Sequence, residues 1–139
     1  MGSANIIRGE FFEGSDVRIM ARIVRHDNVV LAPGDCTVGT VTTLSVYDLN
    51  SADPSAAIFS STVTASSVVF INGTVSGWTV DSIGANFLWI AKVGAGQVWP
   101  AASNVVGGHR YRFEAKIPTT NFGTVMVVAE LACKSVLSS

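Results

Sequence analysis

The chain has 139 residues, of which 48% are hydrophobic and 14% are charged, and its net charge is −1 at pH 7. This length predicts one domain, and the high hydrophobic content excludes an intrinsically disordered protein. The near-neutral charge excludes the basic surface of a nucleic-acid-binding protein, and no apolar run reaches the roughly 18 residues of a membrane-spanning helix.

Charged residues are scarcer here than the roughly 25% of a typical globular domain. A soluble chain with so few charges usually buries part of its surface in an assembly, so we expect a homo-oligomer. The first twelve residues, MGSANIIRGEFF, lack a basic segment followed by an apolar one, and we expect no signal peptide.

Valine, threonine and serine dominate the sequence, which is typical of β-structure. Short segments with apolar residues at every second position recur along the chain, separated by turn residues. The predicted strands are residues 17–25, 29–31, 41–47, 58–63, 68–71, 87–91, 109–117 and 124–134. This pattern predicts an all-β fold, an immunoglobulin-like antiparallel β-sandwich, with a jelly roll as the alternative.

The last two predicted strands show the clearest alternation and predict a hairpin that turns at residues 120–123. The core-facing residues are expected to be Tyr111, Phe113, Ala115 and Ile117 on one strand and Val125, Val127, Ala129, Leu131 and Cys133 on the other. In the strand over 41–47, the core-facing set is expected to be Thr42, Leu44 and Val46.

The first sixteen residues resemble an extended arm, and residues 17–139 form the predicted sandwich domain. The arm carries four large apolar residues, Ile6, Ile7, Phe11 and Phe12. Exposed hydrophobic residues on an arm often mark a partner surface. Two interpretations are open: the segment docks on a neighbouring molecule, or it folds back as an edge strand of its own sandwich.

The outward face of the last predicted strand is also unusually apolar, since Met126 and Val128 lie on it beside Glu130. A partner surface and a surface covered by the long loop over residues 94–108 are both compatible with this pattern. Met126 and Val128 are therefore candidates for partner contact, together with the arm residues.

The sequence contains no catalytic or metal-binding motif. Only His26 and His109 offer a general base, and both are expected to be ordinary polar residues at strand ends. Cys36 and Cys133 lie too far apart in sequence for metal-ligand spacing, and the alternation around Cys133 predicts a buried free thiol. We therefore expect no enzyme, no cofactor and no metal ion.

Tryptophan raises the possibility of a sugar-binding surface, because sandwich domains often stack sugars on exposed indoles. Trp78 and Trp89 each alternate with another apolar residue and are expected in the core. Trp99 precedes Pro100 in the long loop and is the best candidate for an exposed side chain that contacts a glycan or a protein partner.

The stretch GWTVDSIGANFLW, residues 77–89, predicts a structural corner. Trp78 and Phe87 are expected to enter the core from either side of a tight bend. Gly84 would adopt a positive φ there, and Asp81 or Asn86 would bond nearby amides.

Residues 66–89 and 107–132 resemble small virion proteins of tailed bacteriophages. The resemblance rests on a corner motif and on a Gly-Gly-His-x-Tyr-x-x-Glu hairpin. The matching residues are Trp78, Val80, Asp81, Gly84, Asn86 and Phe87 in the corner, and Gly107, Gly108, His109, Tyr111 and Glu114 in the hairpin. The resemblance implies an immunoglobulin-like structural module of a virus particle, with no catalytic residues.

On this basis the expected function is that of a capsid decoration (cement) protein on the surface of a virion, made in the host cytoplasm. Its partners would be the major capsid protein, further copies of itself in a dimer or trimer, or both, and neither nucleic acid nor membrane. The alternatives are a component of the tail or head–tail connector, and a carbohydrate-binding sandwich for host attachment.

Overall fold

The structure is a computed structural model that describes residues 6–12, 15–25, 27–36, 41–70, 85–91, 99 and 105–135. These residues form an all-β fold with two sheets, consistent with a β-sandwich, and contain no α-helix. In this part of the chain, no helix has the length and hydrophobicity needed to cross a membrane.

Seven strands make up the described fold. They are β1 (Ile6–Phe12), β2 (Val17–Ala21), β3 (Val41–Asp48), β4 (Ala57–Thr64), β5 (Phe87–Ala91), β6 (Arg110–Pro118) and β7 (Thr124–Lys134). Strands β1, β7, β6, β3 and β4, in that order, form a five-stranded sheet, and β2 and β5 form a two-stranded sheet.

The predicted hairpin of the last two strands is confirmed. β6 and β7 pair antiparallel, with Phe113 opposite Ala129 and Ile117 opposite Val125. The turn closes with a hydrogen bond from the Thr119 amide to the Gly123 carbonyl, and Gly123 has a φ of 72°, a value that favours glycine. The predicted core-facing residues of both strands and of β3 face the interior.

The sequence predicted an antiparallel sandwich, but one strand pair differs: β1 runs parallel to β7. These two strands come from opposite ends of the described chain and are not joined by a hairpin, so no tight turn determines their relative direction.

Three predicted strands are shorter than expected. The strand over 17–25 ends at Ala21, and residues 29–31 and 68–70 contribute only isolated bridges, Val24 to Val30 and Val69 to Phe87; residue 71 lies outside the described residues. Beyond the end of β2, the Ile23 amide donates to the side chain of Asn86 in place of a strand neighbour, while the Ile23 carbonyl accepts the Leu31 amide.

Trp99 lies in the centre of the core with 0% of its surface exposed, so the prediction that it is exposed was wrong. Its ring stacks on Trp89 at 6.2 Å and meets Phe11 edge-on at 5.4 Å. An indole offers a large apolar surface, and burying it between the two sheets is more favourable than leaving it in a solvated loop.

The arm predicted over residues 1–16 needs a correction for residues 6–12, which form edge strand β1 of the five-stranded sheet. Phe11 is 6% exposed and packs on Trp99 and Tyr111. Ile7 is half-buried against the core, whereas Phe12 is 58% exposed. Of the two interpretations of this segment, the structure has the edge strand, because the aromatic core accepts Phe11 from within the same molecule.

Asn86 joins distant parts of the fold through its buried side-chain amide. Its Oδ1 accepts the Ile23 amide at 2.7 Å, and its Nδ2 donates to the carbonyls of Ile23 and Leu31 at 2.9 and 2.8 Å. Both side-chain donors are therefore used. The sequence predicted bonds from Asn86 to nearby amides. Its partners are backbone groups 63 and 55 residues away in sequence.

We predict that Asn86→Leu lowers the free energy of unfolding by about 3–5 kcal/mol, because the buried Ile23 amide and Leu31 carbonyl lose their partner and the Ile23 carbonyl keeps only its bond from the Leu31 amide. Urea unfolding followed by tryptophan fluorescence measures the loss. Asn50→Leu is the matched control: Asn50 accepts the Arg110 amide at 2.7 Å in an exposed position, and its loss should cost about 1 kcal/mol. Equal losses in the two variants would contradict the bridging role of Asn86.

The hydroxyl of Tyr111 accepts the Val106 amide at 2.8 Å, and burial raises the pKa of this phenol above its usual range. We predict that Tyr111→Phe costs about 1–2 kcal/mol at neutral pH. Above about pH 10 the phenol ionises in the unfolded chain but stays protonated in the folded protein, so wild-type stability falls as the pH rises. The variant has no phenol at this position and lacks this pH dependence.

The difference between wild type and Tyr111→Phe should therefore shrink at alkaline pH, which urea unfolding at two pH values measures. Tyr47→Phe, on the half-buried outer side of β3, serves as the control. A difference that grows with pH would contradict the assignment.

Candidate interaction surface

Where the structure describes them, the ionisable side chains that were candidates for catalysis make contacts that hold strands together. His109 Nδ1 lies 2.9 Å from Asp48 Oδ2, and Asp48 also accepts the Asn50 amide at 2.9 Å. These contacts join the end of β3 to the start of β6. His26 lies outside the described residues. Within the described ranges, no group of three or more side chains is placed to hold a metal ion.

Both cysteines are buried free thiols, as predicted for Cys133. Burial raises the pKa of the Cys36 thiol, with a smaller contribution from the nearby Asp35 carboxylate. A raised pKa keeps the thiol protonated and makes it a poor nucleophile.

The broadest regular surface is the outer face of the five-stranded sheet, the side turned away from the core. The strand registers arrange its residues in rows that cross the sheet from β4 to β1. One row holds Ser60, Ser45, Glu114 and Val128, and the preceding row holds Thr62, Thr43, Lys116 and Met126.

The half of this face on β1, β6 and β7 is charged, and most of its charges are paired within the molecule; the exposed Lys116 forms no ion pair with the described residues. Glu130, with 17% of its side chain exposed, lies 2.9 Å from Arg8, 3.5 Å from Arg112 and 3.6 Å from Arg110. Arg112 also bonds Glu114 at 2.7 Å. Three guanidinium groups thus share one carboxylate, which orients them without a partner protein.

The half of the face on β3 and β4 carries no charge. Its outward residues are Val41, Thr43, Ser45 and Tyr47 on β3 and Ala57, Ser60, Thr62 and Thr64 on β4, and Ile58 is the unpaired residue of a register irregularity beside Ala57. Val41 is 45% exposed and Ile58 is 37% exposed. None of the residues predicted to contact a partner lies on this half, although the absence of charge in Ala57–Thr64 was visible in the sequence.

The predicted partner residues do not form one patch. Met126, 40% exposed, and Val128 lie on the same side of β7, and Ile6 is opposite Val128 in the register. Phe12 is opposite Lys134, at the other end of β1. Val128 is only 5% exposed, which agrees with a covered position, the other interpretation of this face, and not with a free contact residue.

The predicted corner is described only in part. Trp78, Asp81 and Gly84 lie outside the described residues. Asn86 and Phe87 are both 0% exposed, and Phe87 begins β5 opposite Ala21. Their roles are structural, in backbone bonding and core packing.

Two of the three tryptophans are buried, which argues against a sugar-binding surface built on them. Trp89 and Trp99 are 5% and 0% exposed, so neither can stack on a glycan. A groove of about 420 Å³ between β1 and β2 has only Phe11 and Phe12 as aromatic lining residues.

Comparisons of the chain with models of protein families, with curated proteins and with solved structures found no match.

Proposed function

We propose that this chain is a structural protein of a phage virion, and specifically a capsid decoration protein that strengthens contacts between major capsid subunits. The observation that carries the proposal is the outer face of the five-stranded sheet. On one half its charges, apart from Lys116, are paired within the molecule, and its other half is uncharged. Such a face suits contact with another protein surface, since little desolvation of unpaired charge is required.

An immunoglobulin-like topology is part of this proposal. The order β7-β6-β3 corresponds to the G-F-C sheet of immunoglobulin domains, β4 takes the position of C′ in the variable type, and β2 with β5 corresponds to the B–E pair. The bond from the Val106 amide to the Tyr111 hydroxyl, near the start of β6, supports the same assignment, because immunoglobulin domains have a tyrosine corner at the start of strand F.

The resemblance of residues 66–89 and 107–132 to small virion proteins of tailed phages is the sequence support for the virion role. In such a role the protein acts through contact area. Many copies bind neighbouring capsid subunits, and modest contacts at each copy add up across the shell. A sandwich with a large buried aromatic core is a rigid support for such contacts.

The copy number per particle tests this proposal. We predict hundreds of copies in purified virions, measured by quantitative mass spectrometry and normalised to the major capsid protein, because a decoration protein follows the capsid lattice. A handful of copies would indicate a component of the tail or head–tail connector. Its absence from the particle would overturn the virion role.

We predict that Met126→Lys weakens binding to capsids that lack the protein by about tenfold, since the variant replaces an exposed apolar side chain of the outer face with a second positive charge beside Lys116. Co-sedimentation of purified protein with capsids measures the binding. Val24→Lys is the matched control, because Val24 is 47% exposed and lies outside the five-stranded sheet. An equal loss in both variants would contradict the use of this face.

A further inference from the structure

Among the described strands, β4 is an edge strand of the five-stranded sheet. It stands last in the strand order, and β3 is its one strand neighbour in the described part of the chain. An edge strand presents backbone amides and carbonyls on its outer side, and these can pair with a further strand.

The two edges of this sheet differ in composition. β1 carries Arg8 and Glu10, which form ion pairs with Glu130 and Lys134, whereas Ala57–Thr64 contains no charged residue and no proline. Charges, proline and β-bulges are devices by which sheets prevent further pairing at an edge. Over Phe59–Thr64 the edge at β4 has none of these, since its one register irregularity lies at the start of the strand, at Ile58.

The core is incomplete along this edge. Leu44 and Val46 on β3 are 1% and 0% exposed, whereas Phe59 and Val63, which face the same side from β4, remain half-buried. The ring of Phe59 stacks on Trp89 at 6.1 Å and therefore lies at the rim of the aromatic core. A further strand beside β4 would cover these two side chains.

We propose that β4 pairs with β4 of a second copy of this chain, antiparallel across a two-fold axis, to form a continuous sheet through the dimer. An uncharged strand meets its own copy without charge repulsion, and its backbone groups are self-complementary in an antiparallel pair. Registers centred on Ser60 and on Ser61 overlap equally and keep inward residues inward; the one centred on Ser61 also places Phe59 opposite Val63 of the partner subunit, so that the two half-buried apolar side chains cover each other.

This arrangement has a geometric consequence. The two-fold axis of an antiparallel edge pair is perpendicular to the sheet, so the outer faces of both copies point to the same side. One dimer thus presents two contact faces to one surface, which increases the strength of attachment. The dimer adds to the proposed function without depending on it, because it forms in solution whether or not the chain belongs to a virion.

Sedimentation velocity of the whole protein over a range of concentrations tests the proposal. Thr62 on β4 and Thr43 on β3 are directly opposite each other and share the outer face, so lysine at either position adds the same charge to it. We expect wild type to be a dimer, Thr62→Lys to raise the dissociation constant at least about tenfold, and Thr43→Lys to leave it nearly unchanged. Circular dichroism confirms that each variant folds.

A monomeric wild type would overturn the proposal, and so would a dimer that Thr62→Lys leaves intact. An equal effect of the two lysine variants would show that copies meet through the face and not the edge, which also overturns it. These results are separate from the copy number in virions, so failure of the dimer and failure of the virion role can be distinguished.

A cross-linking experiment decides the matter independently of the lysine variants. Directly opposed residues of an antiparallel pair have Cβ atoms about 4.5–5.5 Å apart, close enough for a disulfide after a small adjustment. Ser61→Cys should form a covalent dimer on mild oxidation. Ser15→Cys, equally half-buried but located between β1 and β2, should not. A dimeric Ser61→Cys protein that fails to cross-link would overturn the antiparallel pairing.

Discussion

The packing of Trp99 between the two sheets is the interaction on which the arrangement of the fold depends. Its ring contacts Trp89 of the small sheet, and Phe11 and Tyr111 of the large one. Because Phe11 packs against this indole, β1 is held beside β7 as an edge strand. The attachment of β1 closes one side of the large sheet and leaves β4 as its opposite edge.

The distribution of charge follows from the same arrangement. β1 brings Arg8 next to Glu130, where Arg110 and Arg112 of β6 also converge. Salt bridges at a protein surface contribute little to stability, so their main effect here is on the surface itself. They concentrate the charge on one half of the outer face and leave the half on β3 and β4 without any.

An uncharged half-face that ends in an open edge is an uncommon combination in a monomeric protein, because natural sheets usually protect their edges. Pairing of β4 strands and docking of the outer face are compatible, since they use different parts of the sheet. A dimer that presents two such faces to one surface would suit a protein whose function is to hold neighbouring subunits of a larger assembly together.

The sequence by itself determined the all-β class, the hairpin of β6 and β7 and the inward faces of β3, β6 and β7. Period-two alternation is a local property that depends only on which side of a strand each residue occupies. Phe87 was assigned to the core for the same reason. The absence of a charged residue in Ala57–Thr64 was also visible in the sequence, although its position at an edge was not.

Only the tertiary structure decided which surfaces are covered. Trp99 was expected in solvent, yet it is buried against Phe11 and Tyr111, which come from distant parts of the chain. The parallel direction of β1 and the bonds of Asn86 to Ile23 and Leu31 likewise involve residues far apart along the chain. Burial and pairing depend on which strands become neighbours in space, and no local pattern records that choice.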